Sequence, residues 1–361
     1  MNRRAFLKKA SIGAALAPVS AIAAPAVVTG GPSVEWRLGS SFPKSLDAIY
    51  GGAEVLAKRV HAATGGRFNI KVGAAGEFAP ALGLADAVEK GDLECAHTCA
   101  YYYGSKDPAW LIGTTMPFGM NFRQVNAWLY FGGGQELLNE YFAKWKIISF
   151  AGGNTGVQMG WSKKRLRTLD DIKGLKIRIA GMGGEIFRGM GAEPIQTPAG
   201  DIVSALNTGK IDAAEWVGPY DDEKIGLHKV AKYYYYPGFW ETATTINFFV
   251  NADQWAKLPK EYQEIFIAAT HEANQTMMAK YDYENPKALA RILKEKVVME
   301  RFDDSIMNRA FGLTGDILAT YSAKSTDFKK ILASYQAFAK ASNIWNRFAE
   351  GTLASYMGGT R

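Results

Sequence analysis

Apolar and polar positions along the chain follow two periods in turn. Val34–Glu35–Trp36–Arg37–Leu38 and Arg67–Phe68–Asn69–Ile70–Lys71–Val72 alternate at every second residue, which predicts half-buried strands. Gly39–Ser40–Ser41–Phe42–Pro43 turns the chain between the first strand and a helix through Tyr50–Val60. Leu82–Lys90 has helical spacing, ends at Gly91 and hands over to the strand Leu93–His97. Farther on, Leu175–Lys176–Ile177–Arg178–Ile179 is a strand before a glycine-rich turn. Asp201 is expected to cap the helix Ile202–Thr208, Gly209 closes it, and Ile211–Trp216 is a strand.

The two closing units match in detail. Ala87–Val88–Glu89–Lys90–Gly91–Asp92–Leu93–Glu94–Cys95–Ala96 aligns with Ala205–Leu206–Asn207–Thr208–Gly209–Lys210–Ile211–Asp212–Ala213–Ala214. Each is helix, glycine cap, then a strand opening aliphatic–acid, which suggests two lobes built alike. Alternating strands and helices imply an α/β fold with mostly parallel sheets, and ligands then sit beyond the carboxyl ends of the strands, in the cleft between lobes. After about residue 257 the pattern turns helical. Glu261–Met278 carries apolar residues at helical spacing, as do Phe328, Ile331, Leu332, Tyr335 and Phe338. Core packing is the plain reading of the second stripe, and contact with a partner subunit is the other.

Composition changes this picture at the N-terminus. The 361 residues suit two or three domains, and 48 % apolar with 21 % charged is an ordinary globular balance. Asn2–Arg3–Arg4–Ala5–Phe6–Leu7–Lys8 reads as a twin-arginine export motif, followed by an Ala-rich apolar stretch and small-residue cleavage sites ending at Ala23 or Ala26. Residues 1–26 are thus expected to be a removed signal peptide and the mature protein to be periplasmic. No later stretch approaches the roughly 18 apolar residues of a membrane span. The formal charge of +7 falls to +3 without the four basic residues of the leader, so nucleic acid is not an expected partner.

Motifs exclude more than they assign. Cys95, His97 and Cys99 share a strand face, but residues four apart on a strand lie roughly 13 Å apart, too far for one metal or a disulfide; buried thiols are expected. Gly181–Met182–Gly183–Gly184 lacks the full dinucleotide fingerprint and reads as close backbone approach at a helix N-terminus whose free amides could bind an anion. There is no phosphate-binding loop, nucleophile elbow or His-Glu-x-x-His; these absences name no hydrolase or redox enzyme and exclude none. The runs Tyr101–Tyr103 and Tyr233–Tyr236 either bury their rings or place one phenol on a ligand, and one of Tyr101–Tyr103 follows the strand that closes the first repeat.

Arg178 ends an aliphatic strand and would face the cleft, where a guanidinium is the best fork for a carboxylate. Glu215 and Trp216 end the matching strand of the second unit. Asn154–Thr155–Gly156–Val157–Gln158 brings amide oxygens from between the lobes. Such a cleft can accept a small carboxylate on Arg178 together with a hard cation on the oxygens of Glu215 and Gln158.

At these residues the chain resembles a known family. Trp36–Arg37–Leu38–Gly39–Ser40–Ser41–Phe42–Pro43–Lys44, Gly153–Asn154–Thr155–Gly156–Val157–Gln158–Met159, Gly174–Leu175–Lys176–Ile177–Arg178 and Glu215–Trp216–Val217–Gly218–Pro219–Tyr220–Asp221–Asp222–Glu223–Lys224 are similar to DctP-type solute-binding proteins of tripartite ATP-independent periplasmic (TRAP) transporters, in the branch that binds 2-oxo acids with a metal cation. The resemblance implies two lobes, a hinge and a long helix crossing both, in a chain that is not an enzyme. It divides the chain into lobe I at 33–155 and about 257–295, lobe II at 156–256 and about 296–325, and a C-terminal helical segment at 326–361. It implies that Arg178 clamps a pyruvate-like 2-oxo monocarboxylate, with Asn154, Gln158, Tyr101, Phe42 and Asn247 around it. Asn247 stands where histidine can occur. Gln158, Glu215 and the Trp216 carbonyl would hold the cation, sodium or, as the other choice, calcium. A 2-hydroxy acid such as lactate with calcium, or another small carboxylate, is the alternative ligand. The membrane subunits of the transporter are the implied partners, together with a second copy of the chain through the C-terminal helix.

Overall fold

The computed structural model describes residues 30–358. The expected leader, residues 1–26, lies outside the described residues. Among the described residues the strands are β1 (Val34–Ser40), β2 (Phe68–Gly73), β3 (Cys95–Thr98), β4 (Ile147–Asn154), β5 (Gly160–Ser162), β6 (Lys176–Arg178), β7 (Glu193–Ile195), β8 (Ala213–Glu215), β9 (Tyr233–Tyr236), β10 (Thr245–Asn251) and β11 (Val298–Arg301). They form two sheets, ordered β2-β1-β3-β10-β4 and β11-β9-β5-β8-β6-β7.

The sheets repeat one plan. In each, three strands run parallel (β2-β1-β3 and β7-β6-β8), and the next strand, β10 or β5, runs against them. All other strands share one direction, as expected for mostly parallel sheets. The internal repeat is real at the level of single bonds. The Leu93 amide donates to the Ala87 carbonyl at 3.3 Å, and the Ile211 amide donates to the Ala205 carbonyl at 3.2 Å. Gly91 and Gly209 sit at φ of 82° and 73°, the left-handed region that glycine enters without steric cost. One detail differs: Asp201 stands before its helix, yet its side chain makes no capping hydrogen bond.

The chain crosses between the two sheets three times: by short segments from β4 to β5 and from β9 to β10, and through a long helix from β10 to β11. This corrects the expected boundary, because β10 lies within 156–256 but completes the first sheet, pairing with β3 and β4. Its apolar run Ile246–Phe248–Phe249–Val250 needs burial on both faces, and a central position provides it. The crossing segments hold each other: the Thr155 amide donates to the Thr244 carbonyl at 3.1 Å and the Gln158 amide to the Glu241 carbonyl at 3.0 Å. They approach so closely at Gly238 that a Cβ there would lie 1.5 Å from the Gln158 carbonyl oxygen, so only glycine fits.

The helical stretch seen over Glu261–Met278 is one helix, Lys260–Ile292. It packs on β4 and the helix Gly51–Ala63 in lobe I and on the helix Pro219–Ile225 in lobe II. The helix Asp304–Lys324 packs on Gly181–Gly189 of lobe II. The helix Thr326–Asn346 buries Phe328, Ile331, Leu332 and Tyr335 against lobe I, so that stripe is core. Beyond it Ile344, Trp345, Phe348, Leu353 and Met357 are exposed.

Candidate functional site

Strand ends and crossings meet at a cavity of about 10 Å³, roughly the space of one water. Phe42, Ile49, Cys99, Tyr101, Tyr102 and Ile246 line it from lobe I, Arg178, Trp216 and Val217 from lobe II, and Gln158 and Thr244 from the crossings. Of the residues singled out in the sequence, Phe42, Tyr101, Gln158, Arg178 and Trp216 therefore come together. Glu215 lies directly behind, in ion-pair contact with Arg178. Asn154 and Asn247 are not among the lining residues. Asn154 accepts the Gly156 amide at 2.9 Å and shapes the first crossing. Asn247 accepts the Ala100 amide at 3.2 Å and donates to the Gly113 carbonyl and Ser149 Oγ, both at 3.3 Å, so its buried amide is spent on the scaffold.

Arg178 and Glu215 meet because their strands do. β6 and β8 are parallel neighbours with Arg178 opposite Ala214, which sets Glu215 one step on at the same sheet edge. Arg178 is 1 % exposed. Its Nε donates to the Thr197 carbonyl at 3.1 Å and its Nη1 to the Glu215 carbonyl at 2.9 Å and to Glu215 Oε1. That commits Nε and Nη1 within lobe II and leaves Nη2 as a further donor for a ligand. The guanidinium carbon also lies 5.0 Å from the centre of the Trp216 ring.

The second acid at this site, Glu241, escaped the sequence reading. It is 1 % exposed and sits on the β9–β10 crossing, where no periodicity marks it. Its Oε2 accepts from Thr244 Oγ1, and Gln158 Nε2 donates to Thr244 Oγ1 at 3.2 Å and Thr155 Oγ1 at 3.1 Å. The Gln158 amide oxygen is thus the end turned away from those hydroxyls. Burial pushes the Glu215 carboxyl up to about 7 even beside Arg178. Burial and the Glu215 charge hold Glu241 well above the ordinary carboxylate range. Burial is the largest single influence on Arg178 and works against its cation, but Glu215, Tyr102, Tyr101 and Glu241 together outweigh it and its pKa ends raised.

Two buried carboxyls therefore share one arginine, and Glu215 Oε2 and Glu241 Oε1 are buried without a hydrogen-bond partner. Orphaned carboxylate oxygens in a dry site call for a positive partner. The donor set of two carboxyls, an amide oxygen and a backbone carbonyl fits a hard cation such as sodium or calcium. Among the described residues no three His, Cys, Asp or Glu side chains are placed to hold a metal. Cys95 and Cys99 are free, buried thiols, as expected. The Gly181–Gly184 turn does not line the cavity; it admits the Tyr101 ring, 3.4 Å from where a Gly181 Cβ would stand, and Trp240 against Gly183.

Two like lobes joined by paired crossings and closing on a buried arginine define a solute-binding protein of the two-lobed kind. Residues 39–314 match the model of a single family, and the chain belongs to it: the bacterial extracellular solute-binding proteins, family 7, or DctP. The chain is 45 % identical over 354 residues to the monocarboxylate 2-oxoacid-binding periplasmic protein of Nostoc sp., with 97 % of each covered. A TRAP transporter solute-binding protein from Bordetella bronchiseptica matches with a TM-score of 0.89 and 41 % identity, over 91 % of this chain and 98 % of that one. It is a mixed-occupancy dimer, with copurified calcium and picolinate in one active site and the other site apo. One from Pseudoalteromonas atlantica, with bound sodium and pyruvate, matches with a TM-score of 0.87 and 35 % identity, over 91 % and 100 %.

Proposed function

We infer that the protein captures a small 2-oxo monocarboxylate of the pyruvate type together with a hard cation in the periplasm and delivers it to the membrane subunits of a TRAP transporter. The observation that carries this reading is the pair of buried carboxyls, Glu215 and Glu241, sharing Arg178 beside a cavity for about one water. Arg178 receives the substrate carboxylate on Nη2 and on the Nη1 hydrogen that Glu215 Oε1 otherwise takes. Glu215, Gln158, the Trp216 carbonyl and Glu241 form the oxygen set for the cation. A bound sodium or calcium supplies the positive charge that lets Glu215 release Arg178 without standing uncompensated. Tyr101, Tyr102 and Phe42 close the apolar side and exclude water, which strengthens every charge contact inside. A cavity with room for about one water does not admit even a three-carbon acid as it stands, so loading requires the lobes to part and Glu215 to move off Arg178.

A second copy of the chain covers the exposed row Ile344, Trp345, Phe348, Leu353 and Met357; the row's size and its position beyond the packed part of the C-terminal helix support this.

Calorimetric titration with pyruvate, and with lactate in parallel, after dialysis against chelator tests the reading in sodium, calcium and choline buffers of equal ionic strength. Saturable pyruvate binding in sodium or calcium and a large loss in choline is expected. Equal binding in all three overturns the cation, and no binding of either acid overturns the ligand class.

A further inference from the structure

We propose that Asp222 is the positioning residue that aims the Trp216 carbonyl at the cation; this rests on the reading that the carbonyl is a cation ligand. Asp222 is fully buried in the helix Pro219–Ile225, just after the segment that leaves β8 for the cavity. Its Oδ1 accepts the Val217 amide at 3.2 Å and the Gly218 amide at 3.1 Å. Its Oδ2 accepts Trp161 Nε1 and Tyr234 Oη–H, each at 2.8 Å. Each oxygen thus takes two donors.

The Val217 N–H and the Trp216 C=O belong to one rigid peptide plane and point in opposite directions. Fixing the N–H on a carboxylate fixes where the carbonyl points. It also polarises the peptide, because a hydrogen bond to an anion draws the amide hydrogen and leaves the carbonyl oxygen more negative. Gly218 brings no side chain to hold this segment, and of its extended backbone only the Gly218 carbonyl joins the helix, accepting the Asp222 amide at 2.9 Å. Asp222 supplies that hold from below. The carboxylate is in turn held by two strands of the lobe II sheet, through Trp161 on β5 and Tyr234 on β9, whose rings stack with centroids 4.0 Å apart and planes at 17°. Asp222 therefore ties the sheet to one peptide at the mouth of the cleft. The acid that follows Asp221 in sequence looks like a helix-surface charge; its four donors and zero exposure show otherwise.

The test uses the mature full chain with Asp222→Asn and Asp222→Ala, and with Tyr234→Phe, which removes one donor from the far oxygen only. Three quantities are read: exchange of the Val217 amide hydrogen without ligand or added cation, the sodium concentration that half-saturates pyruvate binding, and the pyruvate Kd at saturating sodium. The two binding quantities are also measured with calcium. Outer contacts to metal ligands typically change metal affinity by 10–100-fold, so Asp222→Asn should raise the half-saturating cation concentration roughly tenfold and Tyr234→Phe less. The pyruvate Kd at saturating cation should stay within about threefold, and Val217 exchange should accelerate. Where Asp222→Ala fails to fold, Asp222→Asn carries the test. Folded variants whose cation requirement stays within about twofold of the parent overturn the inference. So does a loss of pyruvate and cation affinity in equal measure, the mark of a merely structural role. A parent protein that binds pyruvate equally with and without either cation overturns the underlying reading, and the inference with it; a cation-dependent parent with unmoved variants overturns the inference alone.

Discussion

Arg178→Ala tests the centre of the site twice, once through binding and once through stability. The substitution removes the one positive side chain that lines the cavity among the described residues, leaves Glu215 fully buried beside Glu241, and frees the Thr197 carbonyl. Truncating one partner of a buried, hydrogen-bonded charge pair costs about 2–5 kcal/mol of binding, so pyruvate affinity should fall by roughly 30- to 4,000-fold. Arg178→Lys keeps the charge without the planar fork and should recover part of that loss. Stability should respond with a definite sign. Glu215 titrates near 7 with Arg178 alongside, and without it burial holds the proton more tightly still. The folded variant then binds more protons than its unfolded chain between the ordinary carboxylate range and that raised value, so its stability falls as pH rises. Melting temperature against pH from 5 to 8 should drop more steeply for Arg178→Ala than for the parent, while calorimetry at pH 7.5 in sodium measures the affinity. Pyruvate affinity within about threefold of the parent, in a variant that melts cooperatively, would remove Arg178 from the ligand site.

Filling the cation site should expel the proton that Glu215 still holds below about 7, and with calcium the Glu241 proton as well, so affinity should increase as pH rises through about 7, and calorimetry in buffers of different ionisation enthalpy should report more proton release with calcium than with sodium. Glu241→Gln removes a negative charge from the oxygen set and should shift cation preference from calcium toward sodium, read from the two half-saturating concentrations. Asp47, in lobe I, meets Tyr220 Oη at 3.1 Å and Lys224 on the lobe II helix, and Lys280 Nζ on the crossing helix at 2.8 Å. Burial disfavours its charge but the two lysines pull it down to about 2; the contact is therefore complete above about 4 and lost only as pH falls toward 2. Because it is half exposed, Asp47→Asn should cost only about 1 kcal/mol of lobe closure, near fivefold in ligand affinity at pH 7, with a larger radius of gyration in solution scattering. Ending the chain after Asn346 removes most of the exposed apolar row and should leave a monomer by analytical ultracentrifugation, with pyruvate affinity unchanged.

Much of this was legible in the sequence because the two periods and the matched helix–glycine–strand units are local properties. Arg178 and Glu215 could be read because each ends a strand of a recognisable unit, and parallel neighbours put strand ends together. Glu241 and Thr244 could not, since they sit on a crossing whose shape depends on its pairing with 155–158, a contact nearly ninety residues away in sequence. The assignment of β10 failed for the same reason: a buried central strand of Thr-Ile-Asn-Phe-Phe-Val-Asn reads equally well in either sheet, and only topology decides. Asn154 suggests a ligand because its segment brings amide oxygens between the lobes, and Asn247 does so only through the family resemblance. Their amides are consumed by backbone groups that burial would otherwise strand.

Charge neutrality explains how such a site can be built for two solutes at once. With the lobes closed, Arg178, Glu215 and Glu241 are each no more than 1 % exposed, so water cannot balance them. Without either solute, a proton on Glu241 and the Arg178–Glu215 pair give zero net charge. A monocarboxylate alone adds a negative charge to a dry cavity, and a cation alone adds a positive one; each is expensive to bury without the other. A monocarboxylate with a monovalent cation restores zero while Glu241 keeps its proton. The same acid with a divalent cation restores zero once Glu241 gives its proton up. The buried second carboxyl, held well above its ordinary range, thus lets one set of side chains accept either cation without an unbalanced charge. The requirement for both solutes follows from burial itself, and the closed lobes are what impose it.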